Sequence, residues 1–217
     1  MTRAGLLVVS LLLLELRSGA RAAPICHHGN GSCQVPSLTD LFDRVNLQSS
    51  RIHHISNDLR SQFEQHFPPH KNLIWRWKCH THDIVTPRDK EDAQTLGREQ
   101  LMEVVLRLLA AWEDPLWQLH RALSQSRHQN QVSSVKALQM ADMVQELRGG
   151  VTRMAERMKL LGALSNTVGP LLPPSSSSFY QQGERHNDLL FCFRRDANKV
   201  QNYLRMLKCS SLPEQDC

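Results

Sequence analysis

Six cysteines and eleven histidines give this 217-residue chain its widest chemical reach. A reduced cysteine beside a histidine could serve as a nucleophile or a zinc ligand, whereas an oxidised cysteine cross-links the fold. The cysteines are Cys26, Cys33, Cys79, Cys192, Cys209 and Cys217. They all follow a leader with the form of a secretory signal. Arg3 supplies its positive start, residues 6–14 an apolar run, and Ala20-Arg21-Ala22 a small-x-small cleavage site. The apolar run is shorter than the ~20 residues a membrane helix needs. An even cysteine count behind such a leader predicts three disulfides and no free thiol. His80-x-His82 lies beside Cys79, but an oxidised sulfur cannot bind zinc, and no other four-ligand spacing occurs. No metal or other cofactor is expected. The chain has no Gly-x-Ser-x-Gly, no phosphate-binding glycine loop and no His-Glu-x-x-His, so it carries no enzyme signature.

Between Cys192 and Cys209 the sequence combines apolar residues at helical spacing with a cluster of cations. Composition alone would make that cluster a solvated helix face. The formal charge of +5 falls to +3 when residues 1–22 are removed, because Arg3, Arg17 and Arg21 leave with Glu15. Basic residues are interleaved with acids along the whole chain, which gives no nucleic-acid footprint. No later stretch is long and apolar enough to insert in a membrane. The expected product is a secreted, soluble monomer, with residues 1–22 as signal peptide and 23–217 as one domain. Asn30-Gly31-Ser32 is the single glycosylation sequon. It lies in the short Cys26–Cys33 interval, where early closure of that loop would hinder glycan transfer.

Four helical patterns must position these residues. The first spans about 37–66, opened by Pro36-Ser37 and stopped by Pro68-Pro69. The second, about 98–126, has a broad apolar stripe and Pro115 inside it, where a kink is expected. The third, about 132–161, carries Gly149-Gly150 in its middle, and the fourth covers about 184–208. Long connections at 67–96 and 162–183 flank a short turn at 127–131. The short turn makes the second and third helices antiparallel neighbours, while the long connections can each return along a helix about 45 Å long. This predicts an all-α, up-up-down-down four-helix bundle with two long crossover connections.

The same geometry orders the disulfides. If 192–209 is helical, its ends lie about 25 Å apart, too far for a bond that needs Cα atoms within about 7 Å. Cys26 and Cys33 flank a glycine-containing loop, and Cys209 and Cys217 flank a turn-forming Ser-Ser-Leu-Pro. The expected pairs are Cys26–Cys33, Cys79–Cys192 and Cys209–Cys217.

Cys192-Phe193-Arg194-Arg195-Asp196, followed by Tyr203, Met206 and Cys209, resembles the C-terminal signature of the prolactin and growth-hormone family. Cys79 with Thr86-Pro87, Lys90-Glu91 and Trp112-x-x-Pro115-Leu116 resembles its central signature. Pro24-Ile25-Cys26, Cys33-Gln34-Val35 and Asp40-Leu41-Phe42-Asp43-Arg44 are similar to the prolactin branch, which has the extra N-terminal cysteine pair. The resemblance covers nearly the whole chain after the leader, and is weak over 124–185. A divergent paralogue of the prolactin branch fits it.

The resemblance implies the same bundle and the same disulfides. It also implies a hormone that joins two copies of a prolactin-type class I cytokine receptor by their extracellular domains. A hormone of the growth-hormone or somatolactin type is the alternative; a helical lipid carrier is disfavoured because disulfide staples oppose helix opening. The first receptor surface carries over to Arg194, Arg195, Lys199 and Tyr203, together with His53. The second carries over to Gly150, whose lack of a side chain would leave a cleft; the plain alternative is a close approach between helices. Of three histidines through which prolactins tune affinity with pH, only His53 is matched, the other positions being Ser50 and Asn198. A weak pH dependence of receptor affinity is therefore expected.

Overall fold

The structure is a computed structural model that describes residues 36–66, 79–125, 131–159 and 184–212. The described secondary structure is entirely helical: α1 (Leu38–His66), α2 (Lys90–Thr95), α3 (Arg98–Gln125), α4 (Gln131–Arg157) and α5 (Glu184–Ser211). The start of α1 is fixed by a local exchange. The Ser37 hydroxyl accepts from the Asp40 amide at 3.1 Å, and the Asp40 carboxylate accepts from both the Ser37 amide and hydroxyl. This reciprocal cap satisfies donors that the first turn leaves open, with Asp40 in the place where Glu is usual. The bonds from Ser37, side chain first, hold the Asp40 carboxyl below its ordinary range.

The short helix α2 lies inside the region whose sequence has no sustained period. It forms because Asp89 caps it, accepting from the Asp92 amide at 2.8 Å, and because Ala93 is buried against the bundle. At the start of α3, Gln100 reaches back to the Gly97 amide at 3.0 Å. Helix α3 continues through Pro115. Helix α4 ends at Arg157, short of the expected 161, because Lys159 takes a left-handed conformation with φ 58°. Its amide bonds to the Glu156 carbonyl and the Met158 amide to Met154, closing the last turn.

The extensive interhelical packing joins α1 to α5 and α4, and α3 to the same two partners. Side-chain bonds give the directions. Lys208 near the end of α5 reaches Asp43 near the start of α1, while Phe63 late in α1 meets His186 early in α5. Gln48 bonds to Met143 and Glu146, and Asp58 lies near Lys136, so α1 and α4 also run oppositely. Glu113 pairs with Arg148 and His120 contacts Ser134, which makes α3 and α4 antiparallel.

The core between them includes Phe42, Leu59, Met102, Leu108, Trp112, Leu119, Met140, Leu147 and Phe193, all fully or almost fully buried. Each such large side chain contributes about 1.5–3 kcal/mol by leaving water. Leu189, Phe193, Val200, Leu204 and Leu207 form the inward stripe of α5, as their spacing predicts. Among the described residues no helix is long and apolar enough to cross a membrane.

Candidate functional site

Helix α5 receives the preceding crossover at a dense set of contacts. Cys79 and Cys192 form a disulfide, with Cα atoms 5.7 Å apart and a sequence separation of 113. One turn along α5, Asp196 is 1% exposed. Its carboxylate accepts from the Thr81 hydroxyl at 2.5 Å, the Trp112 indole N–H at 3.1 Å and the Arg195 Nε at 2.9 Å. A buried carboxylate persists only with such donors, because an unpaired charge would be strongly disfavoured away from water. The Trp112 ring stacks edge-on against Phe193 and His80. Asp196 thereby joins three elements: the crossover through Thr81, α3 through Trp112, and α5 itself.

Two further side chains of α5 tie to the crossover. Lys199 donates to the Thr86 hydroxyl at 2.7 Å, and the Tyr203 hydroxyl faces the Pro87 carbonyl at 3.4 Å. Burial, and then the Arg195 charge, push the Lys199 ammonium below the usual lysine range; burial pushes the Tyr203 phenol up. Of the cationic face expected on this helix, Arg194 is exposed, whereas Arg195 and Lys199 are half-buried and spend donors on the crossover. Tyr203 is 4% exposed and packs into the bundle's own core, so it supports the face from behind.

His53 projects from α1 and is half-buried. Among the described residues its buried Nδ1 has no hydrogen-bond partner. Burial, then the charges of Arg194 and Arg205, lower its pKa from the ordinary histidine value. The α1 histidine and the α5 arginines thus share one electrostatic neighbourhood. Phe191, which sequence reasoning did not single out, belongs to the α1–α5 side of the bundle. It is 40% exposed, and the Arg60 guanidinium lies 4.8 Å from its ring centre.

Gly150 faces α1. A Cβ built there would lie 3.1 Å from Val45 Cγ1, while one at Gly149 meets nothing within 4 Å. The close approach between helices is therefore present at Gly150, and Gly149 points to open space. One turn before Gly150, Glu146 begins a groove of about 930 Å3 between α4 and α1, lined also by Leu47, Arg51 and Met143.

The histidine pair beside Cys79 is directed elsewhere. His80 bonds the Ala111 carbonyl and His82 the Cys79 carbonyl. Among the described residues no three potential ligands converge on a metal position. Cys209 is also disulfide-bonded. Cys26, Cys33, Cys217 and Asn30 lie outside the described residues, as does residues 1–22, so the other two pairings and the sequon do too.

A model of the somatotropin hormone family matches residues 6–217. The chain belongs to the somatotropin hormone family. Somatotropin-family proteins are secreted, cytokine-like hormones that act through class I cytokine receptors, and they are not enzymes. The chemistry of a somatotropin-family hormone is recognition, and the face described above is the candidate site for it. Its missed member is Asp196. The only sequence signal for it was position: an acid standing among the inward-facing residues Phe193, Ala197 and Val200.

Proposed function

We propose that this hormone acts on a prolactin-type receptor, engaging two copies through separate surfaces. Residues 1–22 are removed as a signal peptide, and residues 23–217 act as a monomeric, up-up-down-down bundle held by three disulfides. The helix directions described above support that topology. The first surface comprises Arg194, Arg195 and Lys199 on α5 with His53 on α1, and Tyr203 acts within it as a positioning residue. The observation that carries this reading is the anchoring of the crossover to α5 by Asp196, Thr81 and the Cys79–Cys192 disulfide. It holds the cations on a rigid helix beside α1, the arrangement a specific interface needs. The N-terminal cysteine pair and the residues around it favour the prolactin branch. The second surface lies at Gly150, beside the α1–α4 groove.

The test is a cell reporter assay that compares the prolactin receptor with the growth-hormone receptor, using wild type and Gly150→Arg. Activation of the prolactin receptor alone is expected. The variant should retain first-receptor binding and lose activation. Response through the growth-hormone receptor would instead favour a growth-hormone or somatolactin-like activity, and normal signalling by Gly150→Arg would remove the second-site assignment.

A further inference from the structure

A groove of about 970 Å3 runs between the α2 region and α5. Arg88, Lys90 and Arg98 line its crossover side, and Arg195, Lys199 and Arg205 line its α5 side. Among the described residues Asp89 is the one carboxylate in the lining, and it is occupied in capping α2. Asp92, itself partly exposed, pairs with Arg88, and the buried Asp196 with Arg195, while Lys199 has a neutral hydroxyl partner. Lys90, Arg98 and Arg205 are exposed. Cations that alternate with acids along the sequence are thus gathered by the fold into one trough with a positive field. Burial is the first cause of the lowered proton affinity of Lys199; the Arg195 charge adds to it and Asp196 opposes it.

The spacing selects the kind of anion. Arg195 and Arg205 are ten residues apart on α5, about 15 Å along its axis. A single phosphate or carboxylate cannot bridge such rails, but a chain with charges repeated along its length can. An acidic protein partner would also need an apolar anchor in a pocket. None of the exposed large hydrophobic residues, Leu47, Val85, Trp117, Val132, Val135 and Phe191, lines this groove; its apolar members Leu96, Leu101 and Met206 are buried or partly buried between the cations. Asn198 and Asn202 line it instead, offering amides to hydroxyl or sulfate oxygens.

We infer that this trough binds a sulfated polysaccharide chain of the kind found on cell surfaces and in extracellular matrix. Sulfate esters stay ionised at every physiological pH, and a secreted hormone meets such chains directly. Because Arg195 and Lys199 also belong to the proposed first receptor surface, glycan and receptor compete for one side of α5.

The test uses the full secreted chain, with affinity for a heparin decasaccharide measured by titration calorimetry across a salt series. Two charge-matched triple variants are compared: Lys90→Ser/Arg98→Ser/Arg205→Ser in the groove, and Arg121→Ser/Arg153→Ser/Arg157→Ser on α3 and α4. The groove variant should lose at least about tenfold in affinity. Its slope of log affinity against log salt should fall by about two to three, a little under one per cation removed. The control variant should stay within about twofold of wild type. Equal losses in both variants would reduce the effect to net charge and overturn the assignment. Equal affinity for unsulfated heparosan would overturn the requirement for sulfate, and equal affinity for poly-glutamate of matched charge would point to an acidic peptide instead. Thermal unfolding checks that each variant is folded; if the groove triple is not, Arg98→Ser and Arg205→Ser carry the comparison singly. No receptor enters the measurement, so its outcome is independent of the receptor assignment.

Discussion

Asp196→Ala should be the most damaging single polar substitution in the crossover anchor. The carboxylate is 1% exposed and accepts from Thr81, Trp112 and Arg195. Truncation leaves the buried Trp112 indole N–H and the Thr81 hydroxyl without an acceptor, at about 1–3 kcal/mol each. Arg195 adds little, because its side chain is 39% exposed and can turn to water. The expected loss is about 3 kcal/mol, which for a chain of this size lowers Tm by about 6–12 °C. Asp196→Asn keeps one oxygen for Trp112 or Thr81 and should recover about half of the loss. The assay is urea denaturation with the disulfides intact, followed by far-UV circular dichroism. A loss under about 1 kcal/mol for Asp196→Ala, or a greater loss for Asp196→Asn, would refute the reasoning that this carboxylate is the acceptor on which the anchor depends.

Three other outcomes follow from the structure. Gly149→Ala should stabilise the hormone by about 1 kcal/mol, since alanine favours the helix and meets open space, whereas Gly150→Ala should gain less because its Cβ presses on Val45; urea midpoints of the two variants measure the difference, and equal gains would contradict it. Burial is the first cause that lowers the pKa values of His53, His80 and His186. The unfolded chain therefore takes up protons near pH 6.5 while the folded chain does so only further down, so stability is present above about 6.5 and declines as pH falls from there toward the folded values. Denaturation midpoints at pH 7.5 and 5.5 test this, and a flat profile would count against it. Receptor affinity should change by less than about tenfold between pH 7.5 and 6, because His53 is the one matched histidine of that surface and burial, then Arg194, lower its pKa; surface plasmon resonance with the receptor's extracellular domain gives the comparison.

The four long helices were legible because each carries an apolar stripe at helical spacing, and the position of Ser37 marked where α1 begins. The short helix α2 was not, because Lys-Glu-Asp-Ala-Gln-Thr buries only Ala93 and relies on a cap rather than a stripe. The end of α4 was misplaced because Met158 and Leu161 continue the apolar period while Lys159 leaves the helical conformation. Asp196 escaped for a different reason. Its donors Thr81 and Trp112 stand 115 and 84 residues away, and an acid next to two arginines has the look of a surface residue. The cationic trough was hidden in the same way, since charges interleaved with acids in sequence are separated from them only when the crossover lies along α5. Tyr203 could be assigned to the face by resemblance, but whether it points outward or inward depends on the Pro87 segment above it.

The ring of helix pairings has a consequence for how substitutions combine. Helix α1 packs chiefly on α4 and α5, and α4 chiefly on α1 and α3. Effects on stability should therefore be non-additive across the four shared interfaces and close to additive across the diagonals. A double-mutant cycle at Val45 and Gly150 should show a measurable interaction energy. A cycle at Val45 and Leu123, at opposite ends of diagonal helices, should show almost none. All four long helices still share one hydrophobic core, so this independence holds for substitutions well separated along the bundle and fades where diagonal helices meet in its centre.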